Sequence, residues 1–323
     1  MRTRITTLLL LLGLTVSLTA CAGSRPANSS DAEKTCVQNG WHPVEFNVAG
    51  HRRAYFWKGP PGSWSKGAIV VMHGGGGFHH QFCALAGSLT NAQVRFTDMA
   101  VQRGFGVLVL NSTDKITDSA GRLCGKIWDD EVRSRPNIDL PFIRAVMTEH
   151  IPKLRGDNGL PAIFLTGLSS GGYMTVRAAT ELSTLVTAFA PVSNGDPYGW
   201  HRVCVPKPGG RQSVHGAGYD NDTGKEIIEQ GSCAVSGGYK NEAAWPQPVG
   251  GQKPVFKLFH HRQDGVNDFS CNERLRNQLL AHGYPEEERF TLDSGGRRRL
   301  AHHFWQDDYN APILDFFARH AAR

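Results

Sequence analysis

Residues 162–182 read AIFLTGLSSGGYMTVRAATEL, an apolar run, a serine among glycines, then a stretch of good helix formers. A strand that turns sharply into a helix across Gly167-Leu168-Ser169-Ser170-Gly171 projects its central side chain out of the sheet, and the flanking glycines make room for so tight a backbone. Such a segment belongs in a largely parallel sheet with crossover helices.

The rest of the chain repeats that alternation. Apolar runs at Ala68–Met72, Gly106–Leu110, Leu185–Val192, Pro254–Phe259 and Arg289–Leu292 predict further strands. Helical spacing predicts helices ending near Arg103 before Gly104, over Leu140–Leu154 and Tyr173–Leu182, and over Ala311–Ala321. Ser270 and Glu273 have capping-box spacing and predict the start of a helix that Gly283 ends. Residues 195–253, rich in Gly, Pro, Asn and Tyr, predict a loop-rich insertion that covers substrate.

At the N-terminus, Arg2 and Arg4 precede an apolar stretch from Leu8 to Leu18, far short of the about 20 residues a membrane span needs. Residues 1–20 therefore predict an export signal. Leu18-Thr19-Ala20-Cys21 resembles the lipobox of bacterial lipoproteins, which implies a lipidated Cys21, a membrane anchor and an envelope or secreted location. Residues 21–35 predict a flexible tether, and 36–323 one catalytic domain.

Six of the seven cysteines remain beyond Cys21, an even number that suits an oxidising compartment. Spacing leaves the pairing open; Cys83 with Cys124 and Cys204 with Cys233 are the expected pairs because each lies within one region. Of the formal charge of +6, Arg2 and Arg4 supply two, and the basic residues are scattered except at Arg297–Arg299. No nucleic-acid surface is expected. No metal-ligand spacing or nucleotide loop is present either, so no cofactor is expected.

A serine hydroxyl becomes a nucleophile when a histidine takes its proton and an acid orients that histidine. Where the serine sits on a strand-to-helix turn of this kind, chain order runs serine, acid, histidine. Asp264, in the loop after the strand at 254–259, is the expected acid; Asp268 is its rival, placed where it could instead favour a helix N-terminus. The base is His302 or His303, between the last strand and the last helix. Ser170 and the loop His73-Gly74-Gly75-Gly76-Gly77 supply the expected oxyanion donors, through the N–H groups of Ser170 and of Gly74 or Gly75.

These segments, with Asn137–Ile143, Asp264-Gly265-Val266 and His303-Phe304-Trp305, resemble the secreted polyhydroxybutyrate depolymerase and feruloyl esterase group of α/β-hydrolases. The resemblance implies the α/β-hydrolase fold, with a largely parallel central sheet flanked by helices. It selects His303 over His302, because the family's base is followed after one residue by tryptophan, and it supports Asp264. It implies a serine esterase acting on hydroxyalkanoate oligoesters or on feruloyl and acetyl esters, with His73, Trp200 and Trp305 as candidate substrate-lining residues. Aromatics of the insertion, Tyr198, Tyr219 and Trp245, either stack on an acyl group or pack the insertion itself. A peptidase of the same fold and a noncatalytic binding module on it are the alternatives.

Overall fold

The computed structural model describes residues 29–84, 91–113, 126–130, 135–199 and 244–321, with four two-residue strands inside 205–227. Its centre is a nine-stranded sheet. The strands are β1 His42–Val48, β2 His51–Lys58, β3 Ala68–Met72, β4 Gly106–Leu110, β5 Ile163–Leu168, β6 Ala188–Val192, β7 Val255–Phe256, β8 Phe259–His261 and β9 Phe290–Leu292. They lie in the order β1-β2-β4-β3-β5-β6-β8-β9, with β7 also on β6. The β1–β2 and β2–β4 pairs are antiparallel and every other pair is parallel.

The central strands are apolar runs because both of their faces are covered. Alternate side chains go to opposite sides. Ile69, Val71, Val107, Val109 and Phe164 meet Phe96 and Ala100 of α2 (Asn91–Gln102) and Ile313, Leu314 and Phe317 of α7 (Asn310–His320). Val70, Met72, Leu108, Leu110 and Leu165 meet α3 (Leu140–Ala145), α5 (Ser170–Glu181) and α6 (Phe269–Ala281). Between α3 and α4 (Ile151–Arg155) the predicted single helix passes through a π-helical turn, Val146–His150, just before Pro152, whose missing N–H cannot continue the α ladder.

Several expectations are corrected. The strand expected over 254–259 is two short strands, and the hairpin β1–β2 carries no prediction at all. The capping box at Ser270 gives way to Asp268, whose side chain accepts the Ser270 N–H as N-cap of α6. The tether expected through residue 35 ends earlier, since α1 spans Ser29–Gln38 and buries Ala32 and Cys36. Cys36 is the reason: it is bonded to Cys83, which docks α1 and excludes the expected Cys83–Cys124 pair. Cys271 is also disulfide-bonded. The export signal, Cys21, Trp200 and the Cys204–Cys233 pair lie outside the described residues. No helix among the described residues is long and apolar enough to cross a membrane.

The Cys36–Cys83 bond closes a loop of 47 residues, for which chain entropy predicts a contribution of about 4 kcal/mol. Urea unfolding of the Cys36→Ser/Cys83→Ser double variant should show a loss of that order. A change below about 1 kcal/mol would mean that α1 is held by its packing instead.

Candidate active site

At the end of β5 the chain reverses through Ser169, whose φ of 54° and ψ of −119° lie outside the regions that L-residues prefer. Neighbouring backbone holds it there. Ser169 N–H donates to Val192 O of β6 at 2.9 Å, and Ser169 O accepts from Tyr173 N at 2.9 Å in the first turn of α5. A methyl group on Gly171 would stand 2.3 Å from Met72 O, and one on Gly167 would stand 2.4 Å from Gly171 O. Both positions therefore exclude a side chain, and this is what the glycines beside the serine are for.

Asp264 lies in the loop after β8, fully buried, with Oδ1 accepting Val266 N–H at 2.7 Å and Asn267 N–H at 2.9 Å. His303 Nδ1 stands 2.9 Å from Asp264 Oδ2 and 3.1 Å from Oδ1. An ionised carboxylate only accepts, so Nδ1 carries a proton, and the neutral form of the ring is the tautomer with its lone pair on Nε2. Burial by itself raises the Asp264 pKa, but the charge and hydrogen bond of His303, then His260 and the Val266 N–H, outweigh it and hold the carboxyl below its usual range.

The rivals sit elsewhere. His302 stacks on His261 with ring centres 4.0 Å apart and bonds Gln263 O through Nδ1, while Asp268 caps α6. The loops carrying Asp264 and His303 are tied together, since Gly265 N–H donates to Arg299 O and Arg299 N–H to Gln263 O.

Asn267 links that acid loop to the serine turn. Its Nδ2 donates to Ser193 O at 2.6 Å, and its Oδ1 accepts from Tyr173 Oη at 3.3 Å. Ser193 itself has a φ of 51° and donates its N–H to Phe259 O of β8. The C-terminal ends of β5, β6 and β8 are thus laced into one edge. Sequence reasoning missed Asn267 and Tyr173, because neither belongs to a motif that names a partner.

On the other side of Ser169, the glycine loop follows β3. His73 is fully buried there: Ser112 N–H donates to its Nε2 at 3.0 Å, so Nδ1 bears the proton and donates to Gly74 O at 2.7 Å. Burial, helped by the nearby Lys126 charge, pushes its pKa down to about 3. His73 thus shapes the loop and is shut off from substrate, a correction to its expected lining role. A methyl group on Gly74 would lie 3.5 Å from Leu168 O, which puts the loop beside the serine turn. Ser170 is the first residue of α5, so its N–H lies at the positive end of that helix. Its hydroxyl is engaged, donating to Asp130 Oδ2 at 2.8 Å and accepting from Trp128 N–H at 3.2 Å.

Trp305 is corrected too. It is buried in the core against Phe82 and Phe96 and donates to Asn310 Oδ1, so it supports the segment carrying His303 from beneath. Tyr198 packs on Trp245 and bonds Thr180 on α5, so these two aromatics pack the insertion's ends.

No family model and no curated protein matches the chain. Among solved structures it is similar to a thermostable esterase, with a TM-score of 0.53 and 15% identity over 86% of this chain and 62% of that one. It is also similar to a lipase in its open form, with a TM-score of 0.52 and 14% identity over 88% of this chain and 100% of that one. A third is the Pyrococcus horikoshii acylaminoacyl peptidase, at 0.53 and 16% over 87% of this chain and 41% of that one. The chain thus spans less than two thirds of the esterase and of the peptidase. Together with the strand order and the helices on both faces, these likenesses establish the α/β-hydrolase fold.

Proposed function

We propose that the chain is a serine ester hydrolase in which Ser169 is the nucleophile, His303 the general base and Asp264 its orienting acid. The observation that supports this most is the His303–Asp264 hydrogen bond on the same sheet edge where Ser169 leaves β5 with φ at 54°. In this reading His303 Nε2 takes the Ser169 proton as Oγ attacks the ester carbonyl. The oxyanion is met by the N–H of Ser170 and one from Gly74 or Gly75. The tetrahedral intermediate expels the alcohol, which receives the proton from His303, and water then releases the acid by the same steps in reverse.

The finer reading follows the family resemblance: oligoesters of hydroxyalkanoates, or feruloyl and acetyl esters, hydrolysed by a protein anchored through lipid on Cys21. Labelled palmitate fed to cells should enter the full chain and not its Cys21→Ala variant. Incorporation into neither would remove the anchor.

A panel of p-nitrophenyl acetate and butyrate, methyl ferulate and a 3-hydroxybutyrate oligomer tests the reaction. Ser169→Ala and His303→Ala should each lose roughly 10³-fold or more in kcat, and Asp264→Asn a comparable amount through the wrong tautomer. Full turnover in Ser169→Ala would end the proposal. The preferred ester identifies the branch.

The burial of His73 should also show in the pH dependence of stability. His73 is neutral in the folded chain and takes up a proton near pH 6.5 on unfolding, so the unfolded state binds more protons between about pH 3 and 6.5. Stability must therefore rise as pH rises across that window, and be lost as pH falls, by roughly 1.4 kcal/mol per unit for each such histidine. In urea unfolding at pH 4.5 to 6, His73→Gln should flatten the slope by about that amount. An unchanged slope would mean that the folded ring is already protonated.

A further inference from the structure

Where α1 meets the short turn His79–Phe82, just past the glycine loop, three groups capable of binding a metal converge. Glu33, His79 and His80 each offer one ligand atom, and the three atoms lie within 4.8 Å of one another. His79 Nε2 is 3.9 Å from Glu33 Oε1. Both histidines are more than nine-tenths buried, and Nδ1 of each has no hydrogen-bond partner among the described residues. Buried polar atoms are seldom left so. Stacking of His79 on Phe56 and of His80 on Phe78 fixes the rings without supplying a partner to either Nδ1. Burial lowers the pKa of both imidazoles, and the neutral ring is the form that ligates a metal. Lys126, the nearest ammonium, is turned to Ser112 O at 2.9 Å and lies over the Phe78 ring.

We propose that Glu33, His79 and His80 bind one divalent transition metal of the zinc type, strapping α1 to the segment that follows the glycine loop. Two imidazole nitrogens and one carboxylate oxygen suit zinc, with water as the fourth ligand, and do not suit magnesium or calcium, which take oxygen ligands. Tetrahedral zinc needs ligand atoms about 3.3 Å apart, so the set must close slightly. Glu33, whose side chain is 45% exposed, is free to swing in. No sequence motif announces the site, because the carboxylate and the two histidines come from separate elements joined by the Cys36–Cys83 bond.

The test uses the full chain, stripped with a chelator and dialysed, then titrated with zinc by calorimetry and with cobalt by its visible absorption. One equivalent should bind, zinc should raise the thermal midpoint, and cobalt should give the intense bands of a tetrahedral site. Glu33→Gln, at a half-exposed position that should not disturb folding, should weaken zinc at least tenfold and abolish the midpoint shift. His80→Gln, checked for folding by near-ultraviolet circular dichroism, should do the same. Absence of stoichiometric binding by the wild-type chain would overturn the proposal. So would equal affinity in Glu33→Gln, since the metal would then sit on other histidines of the fourteen.

Discussion

The candidate site depends on how closely the turn between β5 and α5 is pressed against the end of β3. Gly171 comes so near Met72 O and His73 O that no side chain fits between, and a methyl group on Gly172 would stand 2.8 Å from Val192 O on the other side. One turn is therefore wedged between the strands that precede the glycine loop and the Ser193 bend. That contact fixes Ser169 relative to the glycine loop and Ser170, the expected oxyanion donors, before any hydrogen bond between side chains is considered. It also accounts for the positive φ at Ser169: the strain is local, and the packing of four elements around it leaves no relaxed alternative.

A buried ionic cluster supports the same region from behind. Arg53 on β2 pairs with Asp139, whose other oxygen accepts Asp129 N–H at 2.6 Å; Arg135 reaches Asp129 at 2.7 Å. This holds residues 126–130, from which Trp128 donates to His73 O and Asp130 receives the Ser170 hydroxyl. Buried pairs of this kind contribute little net stability over apolar packing, yet losing one partner strands the other. Their effect here is positional: they join the edge hairpin to both halves of the expected oxyanion site.

The parts legible in the sequence were those whose signal is local. Ala68–Met72 and Gly106–Leu110 are apolar from end to end because they lie mid-sheet, and their bounds were read directly. The β1–β2 hairpin left no such run. Its strands sit at the sheet edge with Glu45, Arg52 and Arg53 among their apolar residues. Its two-residue turn is Ala49-Gly50, both with positive φ, without the asparagine or aspartate that usually marks such turns. Cys36–Cys83 was illegible for a different reason: proximity in sequence favours Cys124, and only the docking of α1 decides otherwise. His73 and Trp305 were placed near the right elements, but neither motif says which way a side chain turns, and both turn inward.

Two imidazoles flank Asp264, and burial separates their roles. His260 is fully enclosed, with Nε2 3.0 Å from Asn267 O and 3.6 Å from Asp264 Oδ2. A carbonyl only accepts, so that nitrogen carries the proton, and burial lowers the pKa of the ring despite the carboxylate nearby. His303 touches the same carboxylate through Nδ1 but is placed on a loop at the edge of the sheet, slightly open at its surface. A cation formed on His303 would lie 2.9 Å from Asp264 Oδ2 and near the surface, whereas one on His260 would lie 3.6 Å from that oxygen and be fully enclosed. The same acid thus touches both rings, and under the proposed mechanism one is held as structure while the other takes and returns the proton. Which of the two does so follows from their depth in the fold, a property that the sequence His260-His261 and His302-His303 does not display.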